Sequence, residues 1–366
     1  MPKDIALGSA HAAPGQLTYG RWHAFDHPTG TPEELPVIIA QGASDGPTFW
    51  LTANIHGPEL TGIAVIHDLV SAELAKRLRG TLVCIPSLNP AGFRIRERQP
   101  YFDPQDPNRL FPDRPKSGKP DDEPSFPSMQ EQVWARLFEE IKTSADYLID
   151  LHNASIQSIP FTIRDKVFYE ADEERAAAED LQRRTGELAQ ALGLPVTFEF
   201  KRKRYLQMKL HRSTSGAALN LARIPALTAE LAAPQIIVPE VVQAAVNGLH
   251  NCLVTVGMLD EPLREVRTPQ FDSDYPVRRE SHPRSPAAGI ARPRVRPGDF
   301  VRAGDVIAAL TDIYGRPVGD GAIRTEQDGW ILSISNGIGV YPNSIICGMA
   351  VRDDEPLVMK WDDAKE

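Results

Sequence analysis

Apolar, β-rich runs take turns with helix-period segments along the first 260 residues or so, and this alternation most narrows the folds open to the chain. Pro36–Ala40 and Thr48–Asn54 read as strands, the second rich in bulky and β-branched side chains. From Glu59 to about Arg77, the set Leu60, Ile63, Ala64, His67, Val70 and Leu74 recurs at helical spacing, and Gly80 follows as a stop. Thr81–Ile85 is a short apolar run closed by Pro86. Residues 112–128 hold five prolines among Lys, Asp, Gly and Ser, the mark of an exposed loop. A helix at about Met129–Lys142 and a strand at Ala145–Leu151 follow. A charged helix over roughly Asp172–Leu192, a strand at Pro225–Leu231 and a helix from about Pro239 to Met258 complete the series. Parallel strands need a crossover long enough to hold a helix, so the pattern predicts a mostly parallel α/β sheet flanked by helices.

The texture changes near residue 260. Asp260-Glu261-Pro262 opens a Pro/Arg/Ser-rich stretch, and residues 263–286 read as a linker. Beyond it, short Val/Ile runs are punctuated by Pro297-Gly298-Asp299, Ala303-Gly304-Asp305, Tyr314-Gly315 and Asp328-Gly329, which suggests a small all-β domain of tight hairpins over 287–366. A first region over 1–262 and this β domain divide the 366 residues into two units, as a prior of roughly 150 residues per domain suggests. The Pro-rich linker leaves the first unit able to fold alone, with aggregation through an exposed apolar face as the alternative.

Composition removes several function classes. Forty Lys and Arg against 49 Asp and Glu give a net charge of −9, the wrong field for a nucleic-acid surface. No run of about 20 apolar residues is present, so no membrane span is expected. The first nine residues, Met1 to Ser9, lack an apolar core of the signal-peptide kind. Cys84, Cys252 and Cys347 are odd in number and far apart, which fits packed thiols in a reducing cytoplasm better than disulfides or a Cys-type zinc site.

The chemistry-bearing residues fall at strand ends. In Ala53-Asn54-Ile55-His56-Gly57-Pro58-Glu59, the histidine and glutamate stand three apart at a strand-to-helix turn. They can aim an imidazole nitrogen and a carboxylate at one point, with Gly57 easing the turn. Zinc takes both ligand types at about 2.0–2.2 Å, and a catalytic zinc keeps one position open beside three protein ligands. An H-x-x-E pair recurs by chance, and Glu59 could equally be a first-turn carboxylate favoured by the helix dipole. His152, after Tyr147-Leu148-Ile149-Asp150-Leu151, and Glu230, after Pro225-Ala226-Leu227-Thr228-Ala229, sit at the same kind of strand end. Open α/β sheets bind ligands outside the carboxyl ends of their strands, so the three strands deliver two histidines and two carboxylates to one edge.

With these residues in view, the sequence resembles the succinylglutamate desuccinylase/aspartoacylase family, relatives of the zinc carboxypeptidases. The resemblance rests on His56-Gly57-Pro58-Glu59, Asn89-Pro90-Ala91-Gly92-Phe93, Asp106-Pro107-Asn108-Arg109-Leu110-Phe111-Pro112, Asp150-Leu151-His152 and Thr228-Ala229-Glu230-Leu231. It spans about residues 45–260 and extends to the C-terminal β segment. It implies one Zn²⁺ per chain held by His56, Glu59 and His152, with Glu230 as general base. It also implies that Arg98 faces the oxyanion, with Arg94 and Arg96 as nearby rivals and a solvated basic loop as the alternative for all three. Asn108 and Arg109 would bind a substrate carboxylate, for which the Arg fork is suited, and Asp106 would hydrogen-bond a zinc-bound imidazole. Pro107 stands where relatives usually carry Leu. His67, on the apolar row of its helix, reads as packed or half-buried. The run Lys201–Arg204 reads as a solvated turn, with recognition of an acidic substrate as the other option.

Three functions remain to be weighed. The leading one is a zinc amidohydrolase acting on a small N-acyl amino acid or related amine; the alternative enzyme is a carboxypeptidase trimming peptides by the same chemistry. A third comes from residues 287–355, which resemble the barrel-sandwich pattern of lipoyl and biotinyl carriers. A carrier needs a modifiable lysine on a hairpin, and none occurs between His282 and Met359. In the family resembled, this β domain is expected to act as a lid over the site. The sequence leaves a homo-oligomer open.

Overall fold

The computed structural model describes residues 3–114 and 126–361; the Pro-rich loop expected at 112–128 therefore lies mostly outside the described residues. One large mixed sheet of 13 strands runs through the molecule. Its middle is parallel: Arg79–Ile85, Ser44–Ala53, Tyr147–His152 and Ala226–Leu231 lie side by side in that order. On the far side of Arg79–Ile85 come Pro32–Gln41 and then Leu17–Asp26, both antiparallel. The expected α/β architecture is thus present, with antiparallel strands at its margins and helices on both faces.

The two faces make two cores. One packs the helix Met129–Ser144 through Val133, Trp134, Leu137 and Ile141 against Trp50, Val83 and Leu148. The other packs Thr61–Leu69, Arg175–Leu192 and Pro239–Thr255 against Phe49, Leu51, Ile149 and Leu227. Alternate residues of each strand point to opposite faces, so an apolar strand buried on both sides feeds both cores.

The helix expected over Glu59–Arg77 is two helices. Val70 turns extended and Ser71 caps a new helix, Ala72–Arg77, by accepting the Leu74 N–H. The buried face of the first helix is also rotated from expectation. Gly62, Val65, Ile66 and Leu69 face the sheet, and His67, expected to be packed, is exposed. Gly62 sets this phase: a Cβ there would come within 2.7 Å of the Leu151 side chain, so the helix approaches the strands on that side.

The C-terminal half joins the same sheet. Within the stretch 263–286 read as a linker, Val277–Ser281 form a strand that pairs in parallel with Val196–Phe198 and antiparallel with Cys347–Arg352. Gly329–Ile334 and Phe300–Val301 extend the sheet further. A separate antiparallel sheet, Pro317–Arg324, Val306–Thr311, Gly289–Pro293 and Gly339–Val340, completes the all-β region. Lys166, 2% exposed, reaches from the first half to Asp353 at 2.9 Å and Glu355 at 2.8 Å. The three cysteines are free and buried, as packed thiols.

Candidate active site

Register brings the site together. Ala53 lies opposite Leu151, and His152 lies opposite Glu230, so the three strands end flush at one edge. His56 and Glu59 then depend on the turn after Ala53. Asn54 adopts φ +54° there, and its side-chain amide donates to the carbonyls of His56, Gly57 and Glu59 at 3.0–3.1 Å. Asn is among the few non-glycine residues that tolerate this left-handed region. Gly57 is required for a different reason from the expected sharp turn: a Cβ would sit 2.2 Å from the Gly92 carbonyl.

The predicted ligands converge. Glu59 places Oε1 2.8 Å from His56 Nδ1 and Oε2 2.8 Å from His152 Nδ1, and one donor atom from each residue lies within 4.8 Å of the others. The outer ring nitrogens are engaged by carboxylates: Asp106 Oδ1 is 3.2 Å from His56 Nε2, and Asp150 Oδ2 is 2.7 Å from His152 Nε2. This orients both Nδ1 atoms inward, the arrangement that fixes tautomer and direction in metal-binding histidines. Burial would raise the Glu59 carboxyl pKa, but the charges of His56 and His152 hold it well below its usual range. Asn153 braces the edge, its backbone N–H donating to Glu59 Oε2 at 3.2 Å and its amide to the carbonyls of Leu231 and Ala233.

Glu230 is half-buried beside this group, and its buried Oε2 has no hydrogen-bond partner among the described residues. Burial pushes its carboxyl pKa upward. A buried carboxylate oxygen left unpaired is costly in an ordinary core, and it is intelligible where a water and a cation belong. The donor set of two imidazoles, one carboxylate and an unpaired neighbouring base fits zinc.

Arg98 binds Asp106 Oδ2 through Nε at 3.2 Å and Nη2 at 2.8 Å, and its Nη1 stands 3.9 Å from Glu59 Oε1. Of its sequence rivals, Arg94 is turned to Glu33, and neither Arg94 nor Arg96 lines the cavity. Pro107 opens the single turn Pro107–Arg109, where proline suits the first helical position, and Asp106 Oδ1 caps it by accepting the Asn108 N–H at 3.0 Å. Asn108 is fixed by Thr214, whose N–H donates to Asn108 Oδ1 at 2.9 Å. Arg109 bonds the Asn108 carbonyl through Nη1, and its Nη2 is 4.0 Å from Asp106.

His56, Glu59, Arg98, Asn108, Arg109, His152, Asn153 and Glu230 line one cavity of about 310 Å³, the scale of a small-molecule site, while Asp106 and Asp150 do not line it. Its remaining walls include Glu199, Arg279, Glu280 and Ser281, with Leu332, Ser333 and Gly348 from the all-β region. Sequence reasoning assigned none of these a role, nor Asp150. The basic run contributes no lining residue; Arg204 pairs with Glu280 at the cavity's edge. If the triad is the metal centre, the double variant His56→Ala/His152→Ala will fall from one zinc per chain to none by elemental analysis. Full zinc occupancy in that variant would refute the ligand assignment.

Comparison with solved structures places the fold. The chain overlays an aspartoacylase family protein from Mesorhizobium loti with a TM-score of 0.70 at 19% identity, covering 94% of this chain and 96% of that one. A succinylglutamate desuccinylase/aspartoacylase from Rhodobacter sphaeroides gives 0.72 at 20% identity, covering 96% and 100%. The ectoine utilization protein EutE (DoeB) from Ruegeria pomeroyi, in a product-bound structure, gives 0.68 at 20% identity, covering 92% and 94%. No match was found among curated proteins by sequence. Residues 45–256, more than half of the chain, match the succinylglutamate desuccinylase/aspartoacylase catalytic domain, and the chain belongs to that family.

Proposed function

We propose that this protein is a zinc-dependent amide hydrolase that removes the acyl group from a small N-acyl amino acid or related amine. The observation that carries the proposal is the unpaired Glu230 oxygen beside the His56–Glu59–His152 group, all four residues lining a cavity of small-molecule size. Membership of a deacylase family supports it. Among the described residues no helix is long and apolar enough to cross a membrane.

Zinc bound by the triad would lower the pKa of a water towards about 7 and polarise the scissile carbonyl. Glu230 removes the attacking water's proton and returns it to the departing amine. Arg98 offers Nη1 to the oxygen that gains charge as the tetrahedral intermediate forms, while Asp106 fixes its other nitrogens. Arg109, half-buried and short of a close carboxylate partner, takes the substrate's carboxylate, with Asn108 beside it.

The test is hydrolysis by the zinc-loaded protein across N-acyl amino acids, N-acyl diamines and free peptides. Amine release from the N-acylated compounds and not from free peptides is the expected pattern, and release of C-terminal residues from peptides instead would overturn it. The two arginines separate by kinetics. Arg109→Ala should raise KM and lose the preference for a carboxylate-bearing substrate over its neutral amide. Arg98→Ala should lower kcat by roughly 10²–10³, because its contact forms with the transition state. A wild-type carboxylate preference in Arg109→Ala would remove it as the anchor.

A further inference from the structure

Three arginines line the cavity, and they differ in what already holds them. Arg98 is tied to Asp106. Arg109 has its nearest carboxylate, Asp106, at 4.0 Å. Arg279, from the strand Val277–Ser281, donates from Nε at 2.7 Å and Nη2 at 2.6 Å to the two oxygens of Glu199, a bidentate fork. Glu199 is itself buried and also accepts the Phe200 N–H at 3.1 Å. The Arg279 guanidinium further lies 4.5 Å from the centre of the Phe200 ring, whose centre is 3.9 Å from the Arg204 guanidinium. Arg279 is therefore fixed by its fork and by a ring face, and the fork does not use its Nη1.

The rest of this wall carries no spare positive charge. Glu280 is paired with Arg204 and with Arg278, the latter at 2.6 Å. Asp165 is buried nearby and bonded by Ser215 at 3.2 Å; burial and the charge of Glu199 push its carboxyl up to about 7. Glu230 adds a further carboxylate facing the same space. A second substrate carboxylate arriving at Arg279 would meet a guanidinium whose charge Glu199 already cancels. It would also lie within reach of like charges, and desolvating it there would go uncompensated. An uncharged acceptor needs one hydrogen bond from Nη1 and meets no such conflict.

We infer that the Arg279–Glu199 pair is a specificity-determining wall that selects substrates with one carboxylate, held at Arg109, and an uncharged acyl group. Dicarboxylic acyl groups are disfavoured. This rests on the reading of the cavity as an N-acyl amide hydrolase site, and it names the substrate class for that site.

The test compares N-succinyl-L-alanine with its terminal amide, N-succinamoyl-L-alanine, which has nearly the same shape and one carboxylate fewer, using the full-length zinc-loaded protein. Where turnover occurs the readout is kcat/KM; where it does not, it is the calorimetric Kd. The native protein should favour the amide by at least about 10-fold, the lower end of what a charged hydrogen-bonding group is worth. Glu199→Gln releases the Arg279 charge and should move the ratio towards the dianion by about 10- to 100-fold. A native preference for the dianion, equal handling of the two, binding of neither, or an unchanged ratio in a folded Glu199→Gln protein each overturns the inference. If that variant does not fold, the native ratio decides alone. A binding preference for the amide without any turnover keeps the wall assignment and rejects the hydrolase reading.

Discussion

Glu230→Gln is expected to keep one zinc per chain while hydrolysing N-acyl amino acids about 10²- to 10⁴-fold more slowly. The substitution keeps the side chain's size and leaves one oxygen, so water can still be held, but an amide cannot accept the proton that water must lose. The metal should stay because Glu230 is not needed to complete the His56, Glu59 and His152 set, whose outer nitrogens are engaged elsewhere, by Asp106 and Asp150. Stability should not fall. The replaced carboxylate has a buried, unpaired oxygen, so its charge is a burden to the fold and its loss is neutral or favourable. Zinc analysis, a melting curve and steady-state rates on the same preparation check the three parts together. Near-native kcat with full zinc would show that another group takes the proton.

Ending the chain after residue 265 should give an aggregated product without a folded monomer. The Pro-rich character of 263–286 predicts an independent first unit, but the sheet argues the other way. Truncation strips Val277–Ser281 from Val196–Phe198 and leaves that strand as an open, pairing-competent edge. It uncovers Ile159, Phe161 and Ile163, which pack against Val277, Trp330, Leu332 and Ala350. It also removes Asp353 and Glu355 from Lys166, and breaking a buried ion pair on one side costs on the order of 3–5 kcal/mol. That is a large part of a typical domain's stability of about 5–15 kcal/mol. Size-exclusion chromatography with limited proteolysis reads the outcome. A monodisperse, protease-resistant fragment that still binds zinc would show that the first 265 residues are self-sufficient.

The parts of this protein legible in its sequence are those where local pattern and tertiary role coincide. Thr48–Asn54, Tyr147–Leu151 and Pro225–Leu231 are buried on both faces, so they read as apolar runs, and the polar residue that ends each run stands out against them. His56, Glu59, His152 and Glu230 were visible for that reason. Val277-Arg278-Arg279-Glu280-Ser281 was not, because four of its five residues are polar. It is an interior strand whose side chains face a charged cavity and a salt-bridge network, and such a strand carries no apolar signal. The same holds for Glu199, which gains meaning only from Arg279, 80 residues away. Asp150 could have been found: an acidic residue two positions before a strand-end histidine lies on the same side of the strand and can reach its ring. The face of Thr61–Leu69 was misjudged because apolar residues surround that helix on most sides, and the close approach at Gly62, which periodicity cannot reveal, decides which of them is buried.

The left-handed turn at Asn54 bears on how the proposed metal would relate to the fold. Three carbonyls of the turn bearing His56 and Glu59 are gathered by one amide side chain, and Asn153 and Asn89 add further protein-only ties, the latter to the Ile55 carbonyl at 3.1 Å. The coordinates of the donor atoms are thus dictated by amides that no cation touches. In small zinc modules, by contrast, the ion's binding energy is the folding energy, and a chelator unravels the chain. Here a chelator would withdraw catalysis and leave the scaffold standing, losing only the mass-action increment that any tight ligand contributes. If the proposed zinc site holds, folding would precede ion capture, and activity would return on ion capture without refolding.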